Sequence, residues 1–124
     1  MDRLFFLVGT LSAFIAVATG AFGAHGLKGR LSPDMLSTFE VGVRYQMYHA
    51  FALFVVAWAQ TRWPGTLVAT SGWLFVVGTI LFSGSLYVLS LTGVKWLGAI
   101  TPFGGLAFLG GWLCLAYACF TARQ

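Results

Sequence analysis

The polar side chains able to support chemistry in this sequence are His25, Glu40, Arg44, Tyr45, Gln46, His49, Ser83, Ser85, Tyr87 and Thr101. Two neutral imidazoles could ligate a haem or a metal ion. A metal site generally needs more than two ligands, and the sequence has neither a Cys-x-x-Cys nor a His-x-x-x-His spacing. No cofactor and no metal are therefore expected. The plainer roles are that His25 caps the end of an apolar run while His49 hydrogen-bonds to neighbouring segments. Serine beside histidine raises a hydrolase, yet no Gly-x-Ser-x-Gly elbow is present, and Ser83-Gly84-Ser85 suits close helix packing better. The expectation is a protein that is not an enzyme. Arg44, with Lys28, Arg30 and Lys95, offers donors for a phospholipid headgroup or another anionic group. Proton-coupled transport usually needs an acid embedded in a membrane span, and Asp34 and Glu40 both precede the apolar stretch of their segment.

The elements that must position these residues follow from composition. With 59% hydrophobic, 17% aromatic and 8% charged residues among 124, too little polar surface exists to cover one water-exposed globule, so the solvent is lipid. The net charge of +4 would suggest nucleic acid in a soluble protein. Here the cations stand singly at the ends of apolar runs, where they anchor segments to headgroups, and nucleic acid is not an expected partner. Cys114 and Cys119 share one apolar run at a spacing that separates them around a helix, so no internal disulfide is expected.

Four spans are predicted, over about residues 4–24, 45–61, 67–91 and 102–121, as an all-α integral membrane bundle in one domain. The first run, at about 21 residues, matches a hydrocarbon core of about 30 Å and exceeds a signal-peptide core, so it is read as a retained helix. The second helix starts outside the core: Ser32 is its cap and Pro33 its first helical residue. Met35, Leu36, Phe39 and Val43 form an apolar stripe, Glu40 and Arg44 an i,i+4 ion pair, and Gly42 a bend, which predicts an interfacial helical approach to the second span. Thr101-Pro102 repeats the cap-and-proline start for the fourth span. Small residues recur at steps of three and four: Gly9, Ala13, Ala16, Gly20 and Gly23 in the first span, and Gly104, Ala107, Gly111, Cys114 and Ala118 in the last. Ser71, Gly78 and Ser85 recur every seventh residue in the third. Such stripes let helix backbones approach closely where lipid gives little hydrophobic drive. They serve equally within one chain or between two.

With four crossings, every candidate residue falls toward one side of the membrane. His49 and Gln46 lie about a turn inside it and need partners, for which the serines and Tyr87 of the third span are expected. Lys28, Arg30, Arg44 and Lys95 on that side outnumber Arg3, Arg62 and Arg123 on the other by four to three, which places both termini outside the cytoplasm.

The segments "GAFGAHGL", "YQMYHA", "SGSLY" and "ITPFGG" followed by "GW" resemble, in order and spacing, the YgdD/YwdK-type family of small four-span membrane proteins, to which the eukaryotic transmembrane protein 256 is also assigned. The resemblance covers nearly the whole chain and implies a four-helix membrane fold in a bacterial inner (plasma) membrane. It implies no reaction and no ligand. Matching positions are Gly23, His25, Gly26, Tyr45, Gln46, His49, Ser83, Ser85, Tyr87, Thr101, Pro102, Gly104 and Gly105. The functional expectation is a non-enzymatic accessory protein that binds membrane lipids, or a partner helix of a homo-oligomer or larger membrane complex, through this polar cluster. The alternative is a small oligomeric transporter or channel.

Overall fold

A computed structural model, which describes residues 1–122, folds the chain into four helices with short connections. α1 covers Asp2–His25, α2 Pro33–Arg62, α3 Thr66–Thr92 and α4 Thr101–Thr121, and a 3₁₀ turn at Lys95–Ala99 precedes the last. The 24, 27 and 21 residues of α1, α3 and α4 give lengths of about 36, 40 and 31 Å. Asp2–His25, Thr66–Thr92 and Lys95–Thr121 are each long and apolar enough to cross a membrane. α2 is the longest helix, at 30 residues, but is not apolar enough to join them on composition. Arg123, counted above among the anchors, lies outside the described residues.

Local chemistry sets the ends. Ser32 Oγ accepts from the Met35 N–H at 3.2 Å with Pro33 beside it, so the predicted cap opens α2. Gly93 closes α3 in the left-handed conformation, φ +73°, where glycine carries no Cβ penalty, and its N–H donates to the Leu89 carbonyl at 2.7 Å. The end of α1 is closed by backbone alone: the Gly26 and Leu27 N–H groups both donate to the Phe22 carbonyl. His25 is exposed and has no side-chain hydrogen bond among the described residues, so it does not cap the helix as expected.

The helices run alternately up and down, and cross-helix contacts fix the register. Gly23 of α1 faces Phe39 of α2, and Gly9 faces Ala50, Leu53 and Phe54 farther along it. Gly42 of α2 faces Leu86 and Tyr87 of α3; Phe82 and Phe75 of α3 face Gly104 and Gly111 of α4. All of these but Gly104, which meets the Phe82 backbone, admit a ring. A Cβ at Gly78 would stand 2.5 Å from the Phe108 ring, one at Gly111 2.6 Å from Phe75, and one at Gly72 2.5 Å from Phe5. Gly9, Gly23, Gly78 and Gly111 of the predicted stripes thus meet aromatic rings within a single chain, whereas Gly20 meets Val43. Phe5, Leu53, Val56, Val68, Phe75, Phe108 and Leu115 bring all four helices into one apolar core.

α2 is continuous from Pro33 to Arg62, and Gly42 interrupts no helical turn. Its missing side chain admits Tyr87, whose Cε1 would lie 2.9 Å from a Cβ there. The outward face is as apolar as the core: Phe14, Leu113 and Phe120 are 73, 71 and 86% exposed, a pattern that only a lipid surrounding accepts.

Candidate functional site

The candidate residues divide into a hydrogen-bonded junction, an aromatic station and an exposed rim. The junction centres on Gln46, which lies at mid-length in α2 and faces both α1 and α3. Its amide nitrogen donates to the Ser12 carbonyl at 3.1 Å and to Ser12 Oγ at 3.3 Å, and its amide oxygen accepts from the Tyr87 hydroxyl at 2.6 Å. One side chain therefore joins three helices. Beside it, Ser83 Oγ donates to the Gly42 carbonyl at 2.7 Å, tying α3 to α2 again. Ser85 Oγ and Thr101 Oγ1 share a hydrogen bond of 2.6 Å between α3 and the start of α4. Among the described residues no buried side-chain nitrogen or oxygen lacks a partner.

His49 does not pair with the serines or Tyr87 as expected; its one hydrogen bond from another helix comes from α4. The Trp112 indole N–H donates to His49 Nε2 at 3.1 Å, and Nδ1 lies 2.8 Å from the Tyr45 carbonyl one turn earlier. Indole is only a donor, so Nε2 must be the acceptor and Nδ1 must carry the hydrogen it gives to Tyr45. The imidazole is neutral in this arrangement, and both ring nitrogens are engaged. Its face lies on Phe108, with centroids 3.5 Å apart and planes 5° from parallel, and Phe75 stands 5.5 Å away on α3. Such contacts favour a ring with an apolar face. Sequence reasoning missed Ser12 and Trp112. Ser12 contributes chiefly a backbone carbonyl, which leaves no mark in composition, whereas Trp112 followed from no motif but stands in the "GW" pair.

The rim is the end of the bundle where α1 meets α2 and α3 meets α4. Lys28, Arg30, Arg44 and Lys95 are all exposed there, as are Asp34 and Glu40. Glu40 and Arg44 do not form the expected ion pair: the only one among the described residues joins the Met1 amino group to Asp2 at the other end. Two exposed, flexible side chains gain little from pairing in water and lose rotamer freedom by it. His25 is also on the rim, away from His49. Among the described residues no group of three or more metal-ligating side chains occurs. Cys114 and Cys119 are free thiols.

A groove of about 560 Å³ runs along the outside of the aromatic station, lined by Tyr45 and His49 of α2, Phe82 of α3 and residues from Pro102 to Trp112 of α4. Its walls are almost wholly apolar.

The family model described as a protein of unknown function (DUF423) matches residues 19–105. The chain belongs to this family. Relatives agree over nearly their whole length: the UPF0382 membrane protein YwdK of Bacillus subtilis is 48% identical over 117 residues, covering 94% of this chain and 95% of that protein. The UPF0382 membrane protein SH2409 of Staphylococcus haemolyticus is 47% identical over 118 residues, covering 95% and 96%. No solved structure matches. The matched stretch holds every candidate residue from His25 to Thr101, whereas Ser12 and Trp112, which complete the two buried stations, fall outside it. Bacterial relatives named as membrane proteins and helices of spanning length agree on an integral, multi-pass membrane protein.

Proposed function

We propose that this is a non-catalytic protein of the bacterial plasma membrane whose cationic rim holds an anionic phospholipid headgroup, in an accessory or lipid-interacting role. The observation that carries this reading is the contrast between rim and interior. Inside, every buried side-chain nitrogen and oxygen among the described residues is satisfied by the protein; at the rim, four exposed cations stand with two exposed carboxylates and no ion pair among them. Donors left to solvent at headgroup depth are suited to phosphate, and arginine's fork suits it best.

The reading needs α2 to cross as well, as the fourth span. Two features support that. α2 is packed along both α1 and α3, from Phe39 against Gly23 to Leu53 against Gly9, so a bilayer that holds its neighbours encloses it. Its polar residues at that depth are hydrogen-bonded to the protein, which removes the main cost of placing them there. The 30 residues span about 45 Å, some 15 Å more than a hydrocarbon core, and the excess falls to the Pro33 end as an interfacial approach. The positive-inside rule turns the rim toward the cytoplasm. A transporter would need an acid inside the membrane, and Asp34 and Glu40 are both exposed at the rim.

The test is native mass spectrometry of protein reconstituted in mixed phosphatidylglycerol and phosphatidylcholine. Wild type is expected to retain the anionic lipid preferentially, and the Arg44→Gln, Lys95→Gln double variant to lose that preference. Equal retention of both lipids by wild type would refute the reading.

A further inference from the structure

We infer that the groove between α2 and α4 takes an acyl chain of the anionic phospholipid, so that headgroup and tail are recognised together; this rests on the rim reading above. Position comes first. The groove begins at Pro102, directly after the 3₁₀ turn that carries Lys95, and Tyr45 on its opposite wall directly follows Arg44. By chain position Arg44 and Lys95 therefore belong to the end of the groove nearest the rim, its mouth. It ends at Trp112, about 15 Å farther along α4, which is half the thickness of a hydrocarbon core of about 30 Å and the depth of one leaflet. A chain hanging from a headgroup at the rim runs its whole length.

The glycine pair at the start of α4 supplies an independent argument. Gly104 is demanded by packing, since a Cβ there would overlap the Phe82 backbone. Gly105 is not: a Cβ there would meet nothing nearer than Phe82 Cδ2 at 4.0 Å. Glycine costs helix stability relative to alanine. What its missing side chain keeps clear is the groove it lines. The deep wall is held rigid by the Trp112 to His49 hydrogen bond and the Phe108 stack, so the channel is shaped before a lipid enters. The occupant is a phospholipid chain rather than a partner helix, because the cations lie at the mouth and not along the almost wholly apolar walls.

The experiment reads Trp112 as the difference in emission between wild type and Trp112→Phe in phosphatidylcholine vesicles. These carry a small fraction of phosphatidylglycerol or phosphatidylcholine with brominated chains, since bromine quenches indole on contact. Brominated phosphatidylglycerol is expected to be about fivefold more effective per mole, the enrichment a surface cation gives an anionic lipid. Gly105→Leu, which fills the groove, should bring it to the phosphatidylcholine level, and Gly105→Ala, which fits without displacement, should remove part of the difference even if the larger variant does not assemble. Equal quenching by the two lipids, or full quenching in both Gly105 variants, overturns the inference. If wild type still retains phosphatidylglycerol preferentially in that case, the headgroup reading stands alone; if it does not, both fall.

Discussion

Gln46 and His49 stand one turn apart on the same helix and are equally buried, each at 5% exposure, yet they are held in different ways. Gln46 is fixed by hydrogen bonds that cross to two other helices. His49 has one bond within its own helix and one from α4, and otherwise lies flat against aromatic rings. The amide has four hydrogen-bonding positions and no apolar face, so it needs neighbours that bring complementary groups to fixed points, which makes it a register pin for α1, α2 and α3. The imidazole has two positions and two apolar faces, so one donor and a stack suffice. It therefore stands where the packing thins into a groove, while Gln46 stands where packing is closed on every side.

The comparison breaks most clearly through α4. Gly104→Val would force α4 away from the Phe82 backbone, which cannot yield as a side-chain tip can. The expected loss is about 1–3 kcal/mol or more of stability, read by unfolding in mixed micelles. Phe108 and Trp112 would leave His49, so Trp112 emission should change, while a Cys pair placed across α1 and α2 near Ser12 and Gln46 should still cross-link. If both stations fail together, they are not separate units. Gln46→Leu is the converse case and spares α4. It leaves the Tyr87 hydroxyl without its acceptor and should cost about 0.6–1.7 kcal/mol, the range for hydrogen bonds between membrane helices. A cycle with Tyr87→Phe should show coupling; additivity would mean that the 2.6 Å bond contributes nothing.

Much of this architecture was legible because it depends on period and punctuation. The stripe Gly9, Ala16 and Gly23 and the stripe Gly104, Gly111 and Ala118 are buried, and Ser32-Pro33 opens α2 where a cap and a proline belong. The pairing of Gln46 with Tyr87 was also within reach, since topology brings both to one side at similar depth. What sequence could not give was direction around a helix: His49 turns to α4, and nothing in its spacing separates that from a turn toward α3. The Glu40 and Arg44 spacing is helical and their side chains are exposed, so the geometry permits a pair that solvent has no reason to form. Gly42 shows a related ambiguity, because a glycine before an apolar run looks the same whether it bends a helix or admits a tyrosine, and its contact with Tyr87 is visible only in the fold.

His49→Phe sharpens the contrast with the smaller effect. Phenylalanine keeps a flat ring for Phe108 to lie on and loses the acceptor for the Trp112 N–H together with the Nδ1–H bond to the Tyr45 carbonyl, of which only the first crosses between helices. If His49 is held chiefly by its faces, stability should fall by no more than about 0.6 kcal/mol, a single interhelical hydrogen bond in a membrane, while Trp112 emission shifts to shorter wavelength as its N–H loses a polar partner. His49→Gln tests the same point from the other side, offering an acceptor without a ring. It should be the more damaging of the two, because the amide brings a polar group that the Tyr45 carbonyl and Trp112 cannot satisfy on all sides and removes the surface on which Phe108 rests. Were glutamine tolerated and phenylalanine not, the hydrogen bond rather than the stack would be what holds α4 at this station, and His49 would be a second pin of the same kind as Gln46.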